Sequence, residues 1–230
     1  MNKHAVAAMV SLALAGIAQT AAAQDAVARP GVPTTSWYIG GGFGQTWAII
    51  PDQTVDFINS DLSAANGATF SVLDKDKHAA EVKFFAGYTF NPYFSVEGGF
   101  AYLGDSKVSM DFRNGLNSVG TFNLQYKMNA IFIDAVGSLP VGDNWSFIGR
   151  IGVSYNTVDA NFNGQPITYV ASSNDTTETK IREKFGAGID YKLNPQFTAR
   201  LEWERYKMPD PLSDEQFNAD TATLSLLYRF

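Results

Sequence analysis

The chain has 230 residues with 23 acidic and 17 basic side chains, a formal charge of −6 and no cysteine. The acidic balance speaks against a nucleic-acid surface, and without cysteine there is no disulfide framework to staple a small fold. Outside the N-terminal segment no apolar run reaches the roughly 18 residues of a spanning helix. Helical membrane spans are thereby excluded, whereas barrel strands, whose lipid-facing and lumen-facing residues average out, are not.

The N-terminus carries Lys3 and His4, an apolar run from Ala5 to Ala18, and small residues at Ala21 and Ala23. This is the pattern of a secretory signal peptide over residues 1–23, too short and too rich in alanine for a spanning helix. Residues 24–36 (QDAVARPGVPTTS) are polar and contain Pro30 and Pro33, which predicts a flexible leader. Residues 37–230 read as one all-β domain. Its eight strands are expected over about 37–47, 79–90, 94–104, 124–139, 145–156, 181–193, 196–207 and 217–230.

The first strand holds Gly40, Gly41, Gly42 and Gly44. No lysine follows and no helix begins there, so a phosphate-binding loop is excluded and the glycines read as close packing across a narrow lumen. The second strand puts Val82, Phe84, Ala86, Tyr88 and Phe90 on one face and Glu81 and Lys83 on the other. The third sets Val96, Phe100 and Tyr102 against Glu97, and the fourth carries Asp134. The fifth opposes Phe147, Ile151, Val153 and Tyr155 to Arg150, and the sixth opposes Phe185, Ala187, Ile189 and Tyr191 to Lys184 and Asp190. The seventh sets Phe197, Leu201 and Trp203 against Arg200, Glu202 and Glu204. The last alternates Ala222, Leu224, Leu226, Tyr228 and Phe230 with Thr223, Ser225 and Arg229, Leu227 being the apolar exception. This period of two marks strands with one oily face.

The gaps alternate in length. Asn91-Pro92-Tyr93, Pro140 to Asn144 and Asn194-Pro195 are turn-forming, while 48–78, 105–123, 157–180 and 208–216 are longer and polar. Short turns at one end and long loops at the other are the arrangement of a transmembrane barrel. Alternation alone fits a secreted lipocalin-like barrel equally well, with the apolar face inside. The aromatics favour the inverse. Trp37, Tyr88, Phe90, Phe94 and Trp145 all fall near the short-turn end, as do Tyr191, Phe197, Tyr228 and Phe230, where an interfacial girdle belongs. The expected fold is an eight-stranded antiparallel up-and-down transmembrane β-barrel with a polar lumen.

Several segments in order resemble one family. Trp37-Tyr38-Ile39-Gly40, then Gly87-Tyr88-Thr89-Phe90-Asn91-Pro92-Tyr93-Phe94 with Val96-Glu97 and Tyr102-Leu103-Gly104, resemble strands of the OmpA transmembrane domain. So do Arg150-Ile151-Gly152, Gly188-Ile189-Asp190-Tyr191, Arg200-Leu201-Glu202-Trp203 and Leu224 to Phe230. The resemblance implies a bacterial outer-membrane barrel whose lumenal acid–base cluster acts as a gate, with Glu97, Asp190 and Arg200 at matching positions. Where the family places a lumenal lysine in the fourth strand this chain has Val136, so a gate here needs Lys83, Arg150 or Lys184 as its cation. A free-standing barrel is expected, without the periplasmic peptidoglycan-binding domain of full-length family members. The C-terminal strand ending in Phe230 is expected to be read by the barrel-insertion machinery.

The lumenal set of Lys83, Glu97, Asp134, Arg150, Asp190, Arg200 and Glu202 has an ordinary role as a mutually neutralising core and a sharper one as a gate. The expected protein is monomeric and non-catalytic. It supports the envelope, presents loops to a host or surface ligand as an adhesin does, and is at most a weak pore for small solutes. Loop function follows from exposed loops on a rigid scaffold. Two alternatives stand: a lipid A-modifying enzyme at the barrel rim, and a soluble ligand-binding barrel. The first needs His78 as a general base, yet His78 lies in a solvated run with Asp74, Lys75, Asp76 and Lys77. A lone histidine makes no metal site, and no cofactor is expected.

Overall fold

The computed structural model describes residues 36–49, 68–76, 78–114, 117–164, 176–210 and 216–230. The expected signal peptide and residues 24–35 of the expected leader lie outside these residues, whereas Ser36 is already the first residue of a strand. The strands are β1 (Ser36–Ile49), β2 (Ala68–Asp76), β3 (His78–Asn91), β4 (Phe94–Asn114), β5 (Asn117–Val141), β6 (Trp145–Gly164), β7 (Thr176–Lys192), β8 (Phe197–Pro209) and β9 (Gln216–Arg229). All pairings are antiparallel. β3 through β9 pair in sequence order, and β1 closes the ring between β3 (Ser36↔Thr89 to Trp47↔His78) and β9 (Tyr38↔Arg229 to Ile49↔Asn218). β2 pairs with β4 above the point where β3 stops, Asp76 level with Lys107 and Val82 with Tyr102, so nine segments make eight staves. Closure leaves no unpaired sheet edge in the body of the barrel.

The short turns are held by their own side chains. Asn91 Oδ1 accepts from the Tyr93 amide at 2.8 Å, and Asn194 Oδ1 accepts from the amides of Gln196 and Phe197, each at 2.9 Å. These Asx turns explain why asparagine opens both reversals. The turn between β5 and β6 uses Gly142 at a φ of 70°.

The long-loop end differs from expectation. Most of the gap 105–123 is a hairpin in which β4 and β5 stay paired to Asn114↔Asn117, and residues 157–164, 176–180 and 68–76 are also strand. Beyond the lipid no apolar face is required, so the period-two signal fades while backbone pairing still satisfies every N–H and C=O. A bulge between Tyr102 and Gly104 starts this extension. Gly104 has a φ of 85°, and a Cβ there would come within 2.5 Å of Ala79 Cβ, so both the conformation and the space require glycine.

The two faces settle which side is inside. Phe43, Phe84 and Ile151 are 69, 63 and 68 % exposed, whereas Lys83, Lys184 and Glu204 on the opposite faces are 0 % exposed. Phe100, Tyr155 and Trp203 also point outward, so the soluble ligand-binding reading is overturned: the apolar face is outside. The outer surface is a hydrocarbon-facing band and the charges are in the lumen. Phe84 sits in this band, four residues above Tyr88. Phe84→Arg is expected to lower barrel stability by about 2–4 kcal/mol, measured by urea titration of folding into lipid vesicles.

Candidate functional site

The lumen holds two tiers. The one nearer the short turns is built from charges on the inner faces of six staves: Lys83 from β3, Glu97 from β4, Asp134 from β5, Arg150 from β6, Lys184 and Asp190 from β7, and Arg200, Glu202 and Glu204 from β8. Arg200 grips Asp190 through two bonds, Nε at 2.7 Å and Nη2 at 3.0 Å, and donates from Nη1 to Glu97 at 2.5 Å. Glu97 also accepts from the Tyr38 hydroxyl at 2.7 Å.

Arg150 is the hub. Its Nη1 donates to Asp134 at 3.2 Å and Glu204 at 3.1 Å, while Nη2 lies 2.9 Å from Glu97 and 2.7 Å from Glu202 as ion pairs without aligned hydrogen bonds. Lys184 joins Asp134 and Glu204, each at 2.5 Å. Lys83 reaches across the lumen to Glu202 at 2.8 Å and Glu204 at 2.6 Å. Phe132 closes the lysine side, its ring centre 4.0 Å from Lys184 Nζ and 5.1 Å from Lys83 Nζ.

Arg150 can serve two staves because the stave between them is bare. On β7, Gly186 is level with Arg150 on one side and Glu204 on the other. A Cβ at Gly186 would lie 3.0 Å from Glu204 Cγ and 3.2 Å from Arg150 Cγ, so the guanidinium passes over the glycine backbone to β8. Four cations and five carboxylates thus share one enclosed space. In a low-dielectric interior this arrangement is tolerable only because nearly every charge meets an opposite one.

The second tier, toward the long loops, is mostly apolar. Leu103, Tyr126, Met128, Val158, Met208 and Phe217 are buried there, with Ala160 and Ala219 between them. Buried polar side chains are interspersed with them, among them Thr46, Ser106, Ser154, Asn156, Thr221 and Asp210, and Asn156 donates to the Lys207 carbonyl at 2.8 Å. This half of the polar lumen thus carries an apolar cluster that the strand faces alone did not single out. The signal was present in the sequence: Tyr206 and Met208 continue the face of Arg200, Glu202 and Glu204, and Met128 continues that of Asp134.

The structure brings together all seven lumenal residues singled out from the sequence, and adds Glu204 as a second hub and Tyr38 as a donor to Glu97. Val136, at the position where a lysine is expected from the family, is buried and level with Arg150. At the short-turn end Trp37 and Tyr88 rings lie 5.0 Å apart, Trp145 and Tyr191 4.6 Å, and Tyr228 and Phe230 5.3 Å, with Phe90 stacked on Phe94 at 5.6 Å. His78 is exposed at the other end, edge-on to Trp47 at 6.4 Å. Among the described residues no three His, Cys, Asp or Glu side chains are grouped to hold a metal ion.

The family model described as "Outer membrane protein beta-barrel domain" matches residues 9–230. Outer membrane protein A of Salmonella typhi is 28% identical over 89% of the chain and 48% of its own length. That of Escherichia coli O157:H7 is 26% identical over 89% of the chain and 47% of its own. The chain spans about half the length of these curated relatives. Among solved structures, Ail, the attachment invasion locus protein of Yersinia pestis, shares 17% identity, with 86% of this chain and 100% of that chain covered at a TM-score of 0.49.

Proposed function

Because the chain belongs to the outer membrane protein β-barrel domain family and is integral to the bacterial outer membrane, we propose that it is a structural and surface-displaying barrel rather than an open pore. One observation carries this reading: the lumen is filled from wall to wall by the Arg150 network and then by the apolar tier around Met128 and Met208. Packed side chains, not an open channel, occupy this interior. Small solutes pass at most weakly, and only when both tiers rearrange.

The strands that continue past the lipid band form a rigid platform on the outer face, where a host or surface ligand is bound. The aromatic ring pairs at the short-turn end anchor the barrel at the opposite lipid interface. Strand β9 with Phe230, 68 % exposed at its end, is the element offered to the insertion machinery. No catalytic step is proposed, since His78 lies on an exposed strand end rather than in an enclosed groove.

Cell fractionation with electrophoresis of boiled and unboiled samples tests the frame. The expected protein is in the outer-membrane fraction and migrates differently after boiling, as a closed barrel opened by heat does. A periplasmic protein without a heat shift would refute the assignment.

A further inference from the structure

Across β4, β5 and β6 the outer face changes character at one level. Phe100, Ile131 and Tyr155 form a row of exposed apolar side chains, each level with the next. The row above it is Tyr102, Asn129 and Thr157. Along β5 the climb from Leu139 to Asn129 is about 25 Å at ordinary strand rise and tilt, the height of a hydrocarbon band. The lipid tails therefore end at this row, while the strands go on.

Above it the same outward face is polar. Asp105, Lys127, Asp159 and Thr177 make the next row, and Lys107, Gln125 and Asn161 the one after. Burial alternates without a break along β5 and β6 through this level, so the polar face continues the lipid-facing one and looks sideways along the membrane. Its side chains are tied to one another across the strands. The Tyr102 hydroxyl and Gln125 Nε2 both donate to Asp105, at 2.7 and 3.0 Å. Thr177 donates to Asp159 at 2.7 Å and Ser109 to Asn123 at 2.8 Å.

The chemistry of this face selects its neighbour. Two aspartates, Asp105 and Asp159, balance Lys107 and Lys127, so neither an anion nor a cation is favoured. Above the Tyr102 row none of the described outward side chains of β4, β5 and β6 is apolar, and the face lacks the buried anchors on which protein interfaces depend. Short amides and hydroxyls held in a fixed array are instead the complement of sugar hydroxyls, because an amide donates and accepts at once and its ordering cost is already met. At this height, beside the lipid band, the adjoining molecule is a lipid headgroup. We propose that the outer face of β4 to β6 above Tyr102, Asn129 and Thr157 binds the sugars of a glycolipid headgroup in the outer leaflet, with Asn123, Gln125 and Asn161 as its main hydrogen-bonding side chains. The proposal rests on the membrane placement of the barrel and not on any ligand of the loops.

Titration of the purified full-length barrel, followed by native mass spectrometry in a detergent without sugar, tests it. One arm uses rough lipopolysaccharide and the other lipid A stripped of its core sugars. Wild type is expected to bind the lipopolysaccharide about tenfold more tightly, as two or three added neutral hydrogen bonds provide. Combining Asn123→Ala, Gln125→Ala and Asn161→Ala is expected to abolish that preference and leave lipid A binding unchanged, in protein shown to be folded by its heat shift. Should the triple variant not fold, Asn161→Ala alone is measured, with a smaller loss of preference expected. Equal affinity of wild type for the two lipids overturns the proposal. So does a folded variant that keeps the full preference, or one that loses lipid A to the same extent.

Discussion

Replacing Arg150 with alanine lowers the stability of the folded barrel by about 3–5 kcal/mol, the usual penalty for stranding buried charge. The guanidinium is within 3.2 Å of Asp134, Glu97, Glu202 and Glu204, all with fully buried side chains. Alanine leaves four carboxylates facing one another with only Lys83, Lys184 and Arg200 to balance them. Urea titration in lipid vesicles, read by the unboiled gel band, measures the loss. Arg150→Ala combined with Glu202→Gln recovers part of it, because one unbalanced carboxylate is removed, whereas a purely steric defect would not respond. Arg200→Ala is milder: its partner Asp190 keeps a 17 % exposed side chain and can be hydrated. Equal stability of Arg150→Ala and wild type would show that water or counter-ions fill the tier in place of the arginine.

The second large effect concerns conduction. Met128→Ser together with Met208→Ser is expected to turn a closed barrel into one with steady single-channel current in planar bilayers, because an apolar constriction excludes ions by dewetting and hydroxyls rewet it. Arg200→Ala alone is expected to leave the current at the wild-type level, since the apolar tier still stands in series with the charges. The serine pair also costs stability, about 2–5 kcal/mol for each buried methionine lost by analogy with Met→Ala, so the current is measured on protein already shown to be folded by its heat shift. Steady current in Arg200→Ala and none in the serine pair would put the barrier in the charged tier instead.

The barrel and its charged tier were legible in the sequence because the lipid imposes a strict rule. Each residue such as Phe84 or Leu201 on the outside alternates with one such as Lys83 or Arg200 on the inside, and a period of two needs no tertiary knowledge. The turn residues Asn91 and Asn194 were equally plain. Where the lipid ends, the rule ends too: residues 105–114 of β4 and 117–123 of β5 are strand, although nothing forces them to alternate. The partners within the lumen were illegible for another reason. Lys83 meets Glu202 and Glu204 across the ring, and Arg150 reaches Glu204 over the bare backbone at Gly186, pairings that no single strand reveals. The apolar tier was written in Met128, Tyr206 and Met208, but only as breaks in otherwise polar faces.

The cross-lumen bond from Lys83 to Glu204 joins residues 121 positions apart, and that from Arg200 to Glu97 joins residues 103 apart. Neither can form as strands are added one after another, so during assembly these charges stay hydrated in an open sheet. Dehydration comes only when β1 meets β9, at the last moment and all at once. Folding is therefore expected to end in a single cooperative step in which closing the wall and drying the interior are the same event. That couples the rate of assembly to how quickly water can leave rather than to how quickly hairpins form.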